Sequence, residues 1–216
     1  MAQPTKVQPP FIPALSFRWL TPIYDPLLRW GMQERGFKQK LIQRAALEPR
    51  QRVLDVGCGT GTLTVMVKES APTALVTGID GDPDVLVRAR RKAEKLNLPV
   101  RWDHGMAYDL PYRDRTFDVA LSSLVIHHLT TPDKLRAFRE IRRVLKPKGR
   151  FHMVDFGRPF STVTRVQAAV MRGLEQVADN FAGLIPMLLK EAGFDVALEE
   201  HPFLSVFGPL WFYEAH

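Results

Sequence analysis

The segment Val53-Leu54-Asp55-Val56-Gly57-Cys58-Gly59-Thr60-Gly61 constrains this chain more than any other. The apolar run from Arg52 to Val56 reads as a buried strand, and Thr62 to Ser70 carry a helical pattern. Three glycines at alternate positions separate the two. A strand that turns directly into a helix needs backbone without Cβ atoms, both to make the turn and to let a ligand come close. The segment therefore predicts the first strand–helix unit of a parallel sheet, with a binding site at the turn. Glycines alone would also fit a dinucleotide site, so the surrounding sequence has to decide.

Strands and helices alternate from that point on. Leu75–Asp80, Val100–Asp103, Phe117–Ser122 and Arg150–Phe156 read as strands, and Pro83–Leu96 and Pro132–Leu145 as amphipathic helices. Thr162–Glu191 reads as helix, broken around Asn180–Pro186. Asp195–Glu199 and Leu204–Tyr213 then follow as two strands in direct succession, a hairpin. The expectation is an α/β fold: a Rossmann-like, mainly parallel seven-stranded sheet with a C-terminal antiparallel hairpin and helices on both faces. Before the sheet, Pro4, Pro9, Pro10 and Pro13 make residues 1–13 a flexible arm, and residues 14–48 a helical segment interrupted near Pro22 and Pro26. Residues 49–216 form the main domain.

At 216 residues, 45% hydrophobic and 25% charged, the chain can bury one substantial core and is too short for two ordinary domains. Cys58 is its one cysteine, which excludes an internal disulfide and a Cys-rich metal site; no metal is expected. No apolar run approaches the roughly 20 residues that span a bilayer, and no export signal opens the chain. A cytoplasmic protein is expected. The net charge of +7 is uneven: residues 1–52 hold nine Lys/Arg against three acids, and 133–150 hold eight against two. Such faces attract nucleic acid, anionic lipid or acidic substrates, or are simply solvated helix surfaces.

The order of motifs resembles the class I methyltransferases that use S-adenosylmethionine (SAM). Gly57-x-Gly59-x-Gly61, with Asp55 two residues before, is similar to their first motif rather than to the Gly-x-Gly-x-x-Gly of NAD sites. The resemblance places the methionine end of SAM beside Asp55, Gly57, Cys58, Gly59 and Gly61. Asp80, in Gly78-Ile79-Asp80-Gly81, would accept both ribose hydroxyls. Gly105-Met106-Ala107 stands where the family usually has Gly-Asp-Ala, so adenine would be held by backbone groups or a neighbouring side chain, with Met106 packing on the ring. Phe117 to Leu129 resembles the fourth strand and the loop where cofactor and acceptor meet, which adds Ser122 and Ser123 to the cofactor site. Leu145-Lys146-Pro147-Lys148-Gly149 resembles the helix-to-strand turn of the methyltransferase-11 group. Thr21-Pro22-Ile23-Tyr24-Asp25 is similar to a segment of the UbiE-like quinone C-methyltransferases.

That resemblance implies transfer of the SAM methyl group, leaving S-adenosylhomocysteine. The reaction is an in-line displacement that needs positioning and desolvation but no metal or covalent nucleophile. His127 is a candidate general base, with His128 beside it, or the pair only closes the pocket. Tyr24 is a candidate lid residue over the methyl group, within a lid formed by residues 14–48, and core packing is its other reading. Ser122-Ser123-Leu124-Val125 lacks the Asn/Asp-Pro-Pro-Tyr/Phe motif of DNA amino-methyltransferases. Apolar side chains before the sheet (Phe11, Phe17, Trp19, Leu20, Trp30, Phe37) and after it (Phe160, Val163, Val166, Val170) could line an acceptor pocket or be core. The expected acceptor is a small lipophilic molecule, a quinone precursor or a phospholipid headgroup amine. Peripheral contact with an anionic membrane surface would suit the basic faces. An RNA or protein methyltransferase and a non-catalytic SAM-binding regulator stay open, although no nucleic-acid module is recognisable.

Overall fold

Apolar residues at consecutive strand positions demand cover on both faces of a sheet, and the computed structural model supplies it. It describes residues 34–171, 177–198 and 202–216. Strands β1 (Arg52–Val56), β2 (Leu75–Asp80), β3 (Arg101–His104), β4 (Phe117–Ser123) and β5 (Leu145–Phe156) run parallel in the order β3-β2-β1-β4-β5. Along β1, Val53 faces one core and Leu54 the other; along β4, Val119 and Leu121 share the first core while Ala120 joins the second. Helices α1 (Glu34–Ala45), α2 (Thr62–Ser70), α5 (Thr162–Met171) and α6 (Ala178–Ala182) cover the first face with Phe37, Leu41, Leu63, Val67, Ala168 and Phe181. Helices α4 (Thr131–Val144) and α7 (Ile185–Glu191) cover the second with Phe138, Ile141, Ile185 and Leu189.

Helix starts follow local chemistry. Helix α3 (Pro83–Lys95) opens on Pro83, whose missing N–H costs nothing there, and the Asp82 side chain accepts from Asp84 N at 2.8 Å. Helix α4 opens likewise on Thr130, whose hydroxyl accepts from Asp133 N at 3.4 Å, with Pro132 in the first turn.

The carboxyl end of the sheet departs from the sequence expectation in one respect. The run Leu204–Tyr213 is two strands, β7 (Phe203–Ser205) and β8 (Gly208–Ala215), so the sheet has eight strands rather than seven. Leu204-Ser205-Val206-Phe207 is nearly all apolar and hides the turn. Ser205 makes it: its hydroxyl donates to Gly208 O at 2.7 Å and accepts from Phe207 N at 3.2 Å. Strand β8 lies antiparallel between β5 and β6 (Val196–Leu198), and β7 pairs with the same edge of β8 as β6 does. Strand β5 begins at Leu145 rather than Arg150. Leu145 pairs with Phe117, the register shifts around Pro147, and pairing resumes at Val119 with Arg150. The helical run after Thr162 is broken by Gly183 at φ 75°, inside the expected interval. Among the described residues no helix is long and apolar enough to cross a membrane.

Candidate functional site

The strand order reverses direction between β1 and β4, and such a switch opens a crevice at the carboxyl ends of the strands. A cavity of about 590 Å³ occupies it, within the size range of small-molecule sites. Its floor is the glycine turn. Gly57 N and Cys58 N both donate to Ile79 O, at 2.8 and 3.0 Å, which ties the turn to β2. Gly57 has φ +69°, and a Cβ there would meet Val125 Cγ1 at 2.4 Å. Gly59 has φ +52°, but a Cβ there would meet nothing within 4 Å. The first glycine lets the turn pack, and the second leaves space beside the cavity it lines.

Asp80, at the end of β2, accepts from Gly59 N at 2.7 Å through Oδ2 and from Asp82 N at 2.9 Å through Oδ1. Burial pushes its carboxyl up and those N–H bonds oppose the rise. Asp55 plays a different part: 1% exposed, it accepts from Thr64 Oγ1 at 2.6 Å and does not line the cavity. Burial pushes Asp55 up to about 6, against the Thr64 bond and the charge of Lys38. Its carboxylate therefore fastens β1 to α2 beneath the turn. Cys58 lines the cavity, yet burial, aided by the charge of Asp55, drives its thiol pKa far above the usual range, so it is no nucleophile.

Gly81, Gly105, Met106, Ala107 and Ser123 line the cavity, as the motifs implied, whereas Gly61 and Ser122 do not. A Cβ on Gly61 would strike the Trp102 ring at 2.6 Å, so Gly61 serves packing between the turn and β3. The hydroxyls of Ser122 and Ser123 are buried without a hydrogen-bond partner among the described residues. Ser123 also lines the cavity, and its buried hydroxyl is the kind of unsatisfied atom that calls for a partner.

The two histidines part company. His127, 4% exposed, does not line the cavity: its Nδ1 meets Asp155 Oδ1 at 2.7 Å and its N–H donates to Asp155 Oδ2 at 3.2 Å. Burial alone would raise the Asp155 carboxyl, but the charge and hydrogen bond of His127 hold it below the usual range. His128 does line the cavity, its ring centroid 3.9 Å from that of His127. Tyr24, Trp19, Trp30 and Phe11, with most of the expected lid, lie outside the described residues. Phe160, Val163, Val166 and Val170 do not line the cavity; all four are more than half exposed.

Sequence patterns did not single out Glu34 and Lys38, which reach the cavity from α1 and pair with each other at 2.6 Å. The signal was present as an acid–base pair one helical turn apart, indistinguishable from a surface pair without the fold. Among the described residues Lys38 is the single Lys or Arg lining the cavity, against Glu34, Asp80, Asp82 and Asp133. A cavity of that charge suits a cationic ligand with a carboxylate at one end. The basic run of residues 133–150 is largely neutralised: Arg136 pairs with Asp133, Arg139 with Glu191, Arg143 with Glu140 and Asp114, and Lys146 with Asp118.

Residues 53–149 match a family described as a methyltransferase domain. An uncharacterized methyltransferase of Synechocystis sp. is 34% identical over 193 residues, covering 88% of this chain and 84% of its own. Demethylmenaquinone methyltransferase of Thermus thermophilus is 36% identical over 157 residues, 69% of this chain and 70% of that protein. The crystal structure of a SAM-dependent methyltransferase from Aquifex aeolicus superposes with a TM-score of 0.61 over 91% of this chain and 96% of that one, at 22% identity.

Proposed function

Because this chain belongs to the class I SAM-dependent methyltransferases, in the UbiE-like group, we propose that its methyl acceptor is a small lipophilic molecule, the hydroxylated aromatic ring of a quinone precursor. The observation that carries this reading is the mixed lining of the cavity: Asp80, Lys38 and the glycine turn supply polar groups, and Met106, Leu124, Val125 and Leu129 apolar ones, with His128 beside them in sequence. The name of the Thermus relative supports an acceptor of this kind.

The residues fit SAM. Asp80 would hold the ribose hydroxyls, Lys38 the methionine carboxylate, and Ser123 would gain the partner its hydroxyl lacks. When bound, SAM supplies an electrophilic methyl group on a positively charged sulfur. The protein's part is to align an acceptor atom behind that methyl and to keep water out. His128 would take the proton of the acceptor hydroxyl, which makes the ring electron-rich enough to attack; the methylated ring carbon then gives up its own proton as the ring returns to its aromatic form, and S-adenosylhomocysteine leaves. His127, held by Asp155, backs the His128 ring and fixes its place. The earlier candidate His127 thereby becomes a positioning residue in this proposal. The paired cations of residues 133–150 weigh against an RNA acceptor, since they offer few charges for phosphate.

Transfer of a labelled methyl from SAM tests the proposal, with a prenylated naphthoquinol, phosphatidylethanolamine, RNA and protein offered separately. Label should enter the quinol. Label in RNA or protein, with none in the quinol, would overturn it.

A further inference from the structure

Amphipathic helices normally bury their one apolar stripe, but α5 carries two. Thr164, Ala168 and Met171 face the core, while Val163, Val166 and Val170 stand 69, 62 and 63% exposed on the opposite side. Phe160, just before the helix, is 51% exposed. The turn between β7 and β8 is fastened to this helix: Gln167 Nε2 donates to Ser205 O at 3.2 Å and to Val206 O at 3.0 Å. Strand β7 adds Leu204, and that turn Val206, 60 and 58% exposed. Most of the large apolar side chains left in solvent among the described residues are thus gathered in one place, which isolated surface residues would not be.

Charge in the described segments that carry the patch has one sign: the charged side chains from 156 to 171 are Arg158 and Arg165, and 202–213 hold none. Arg158 and Arg165 are exposed. A protein partner or a second copy is not selected by a rim of cations alone, but an anionic headgroup layer over hydrocarbon matches both parts of the pattern. Position agrees. Leu210 pairs with Phe156, so the β7–β8 turn lies at the carboxyl end of β5, the same edge of the sheet as the cavity.

We propose that this surface seats the protein on an anionic lipid bilayer, its valines and Phe160 entering the interface and Arg158 and Arg165 meeting phosphate. So seated, the cavity edge turns toward the membrane, and an acceptor dissolved there reaches it with little exposure to water. Only that last consequence rests on the lipophilic acceptor; the docking itself does not.

The test is co-sedimentation of the full chain with vesicles of phosphatidylglycerol and phosphatidylcholine, and of phosphatidylcholine alone, without acceptor. Binding to the anionic vesicles is expected, weaker by about tenfold or more on phosphatidylcholine alone and in high salt. Val163→Glu/Val166→Glu should weaken it by a similar factor, as should Arg158→Glu/Arg165→Glu. Since all four side chains are exposed, each variant should keep the parent's unfolding midpoint and SAM affinity, which shows that it is folded. Absence of binding by the parent, or equal binding by parent and folded variants, overturns the proposal. So does a dimer in sedimentation equilibrium that Val163→Glu/Val166→Glu dissociates, for the patch would then face a second copy.

Discussion

Two glycines of the same turn should respond to the same substitution differently. Both have positive φ, +69° at Gly57 and +52° at Gly59, so alanine at either costs about 1 kcal/mol of backbone strain. The surroundings separate them. At Gly57 the new methyl would lie 2.4 Å from Val125 Cγ1 and 2.9 Å from its Cβ, so Val125 or the turn must move, adding about 1–3 kcal/mol. At Gly59 nothing is struck within 4 Å, and the methyl instead takes space beside the cavity. Gly57→Ala should therefore lose about 2–4 kcal/mol in urea denaturation, and Gly59→Ala only about 1 kcal/mol. Calorimetry on folded Gly59→Ala should show SAM binding weakened by about tenfold or more, equivalent to at least 1.4 kcal/mol. Equal stability losses in the two variants, or undiminished SAM affinity in Gly59→Ala, would refute the assignment of packing to one glycine and ligand clearance to the other.

Asp80→Ala should cost about 1.5–3 kcal/mol of SAM affinity by calorimetry while the fold persists, and unchanged affinity would remove Asp80 from the ribose site. Lys38→Met should weaken SAM binding more than binding of decarboxylated SAM; equal losses would reduce Lys38 to the partner of Glu34. His128→Ala should lower turnover about 10²–10⁴-fold at saturating SAM with little change in SAM affinity, which a turnover assay against the quinol reads directly. His152 is buried and its pKa is pushed down to about 4 by burial, from an ordinary 6.5. The unfolded chain then binds the extra proton between those values, so this contribution is complete above pH 6.5 and lost toward pH 4, about 3 kcal/mol in all. Asp55, raised to about 6, gains stability from protonation over part of the same range. The readout is accordingly the difference in urea stability between parent and His152→Gln: if it does not narrow as pH falls from 6.5 to 4, the assignment fails.

The first half of the fold was legible because its signals are local. Val53 to Gly61 announces strand, turn and helix in succession, and Asp82-Pro83 and Thr130-Thr131-Pro132 mark helix starts that depend only on neighbouring atoms. The turn at Val206-Phe207 was not legible, because Ser205 replaces the usual turn residues by bonding to both sides of it. In the site, motif order led to the residues around Gly57, Asp80 and Gly105, but favoured His127 over His128, of which only the latter lines the cavity. Adjacent residues differ there by which one the distant Asp155 captures, a contact across 28 positions. Glu34 and Lys38 escaped for a related reason: their proximity to the glycine turn is made by α1 packing Phe37 and Leu41 on the sheet.

The place of β8 bears on how the chain is assembled. It follows both β5 and β6 in order of synthesis, yet it lies between them. Until it arrives, the edge of β5 from Phe151 to Phe156 has no strand beside it, and Val196–Leu198 has none to join. An apolar edge of that kind is a template for any strand that reaches it first. The non-local insertion is slow relative to the β–α units made earlier, so the nascent chain spends its vulnerable interval with a slot already built and still vacant. Crowded synthesis would then favour exchange of β8 between two molecules, each filling the other's gap, and chaperone protection would matter most during that wait.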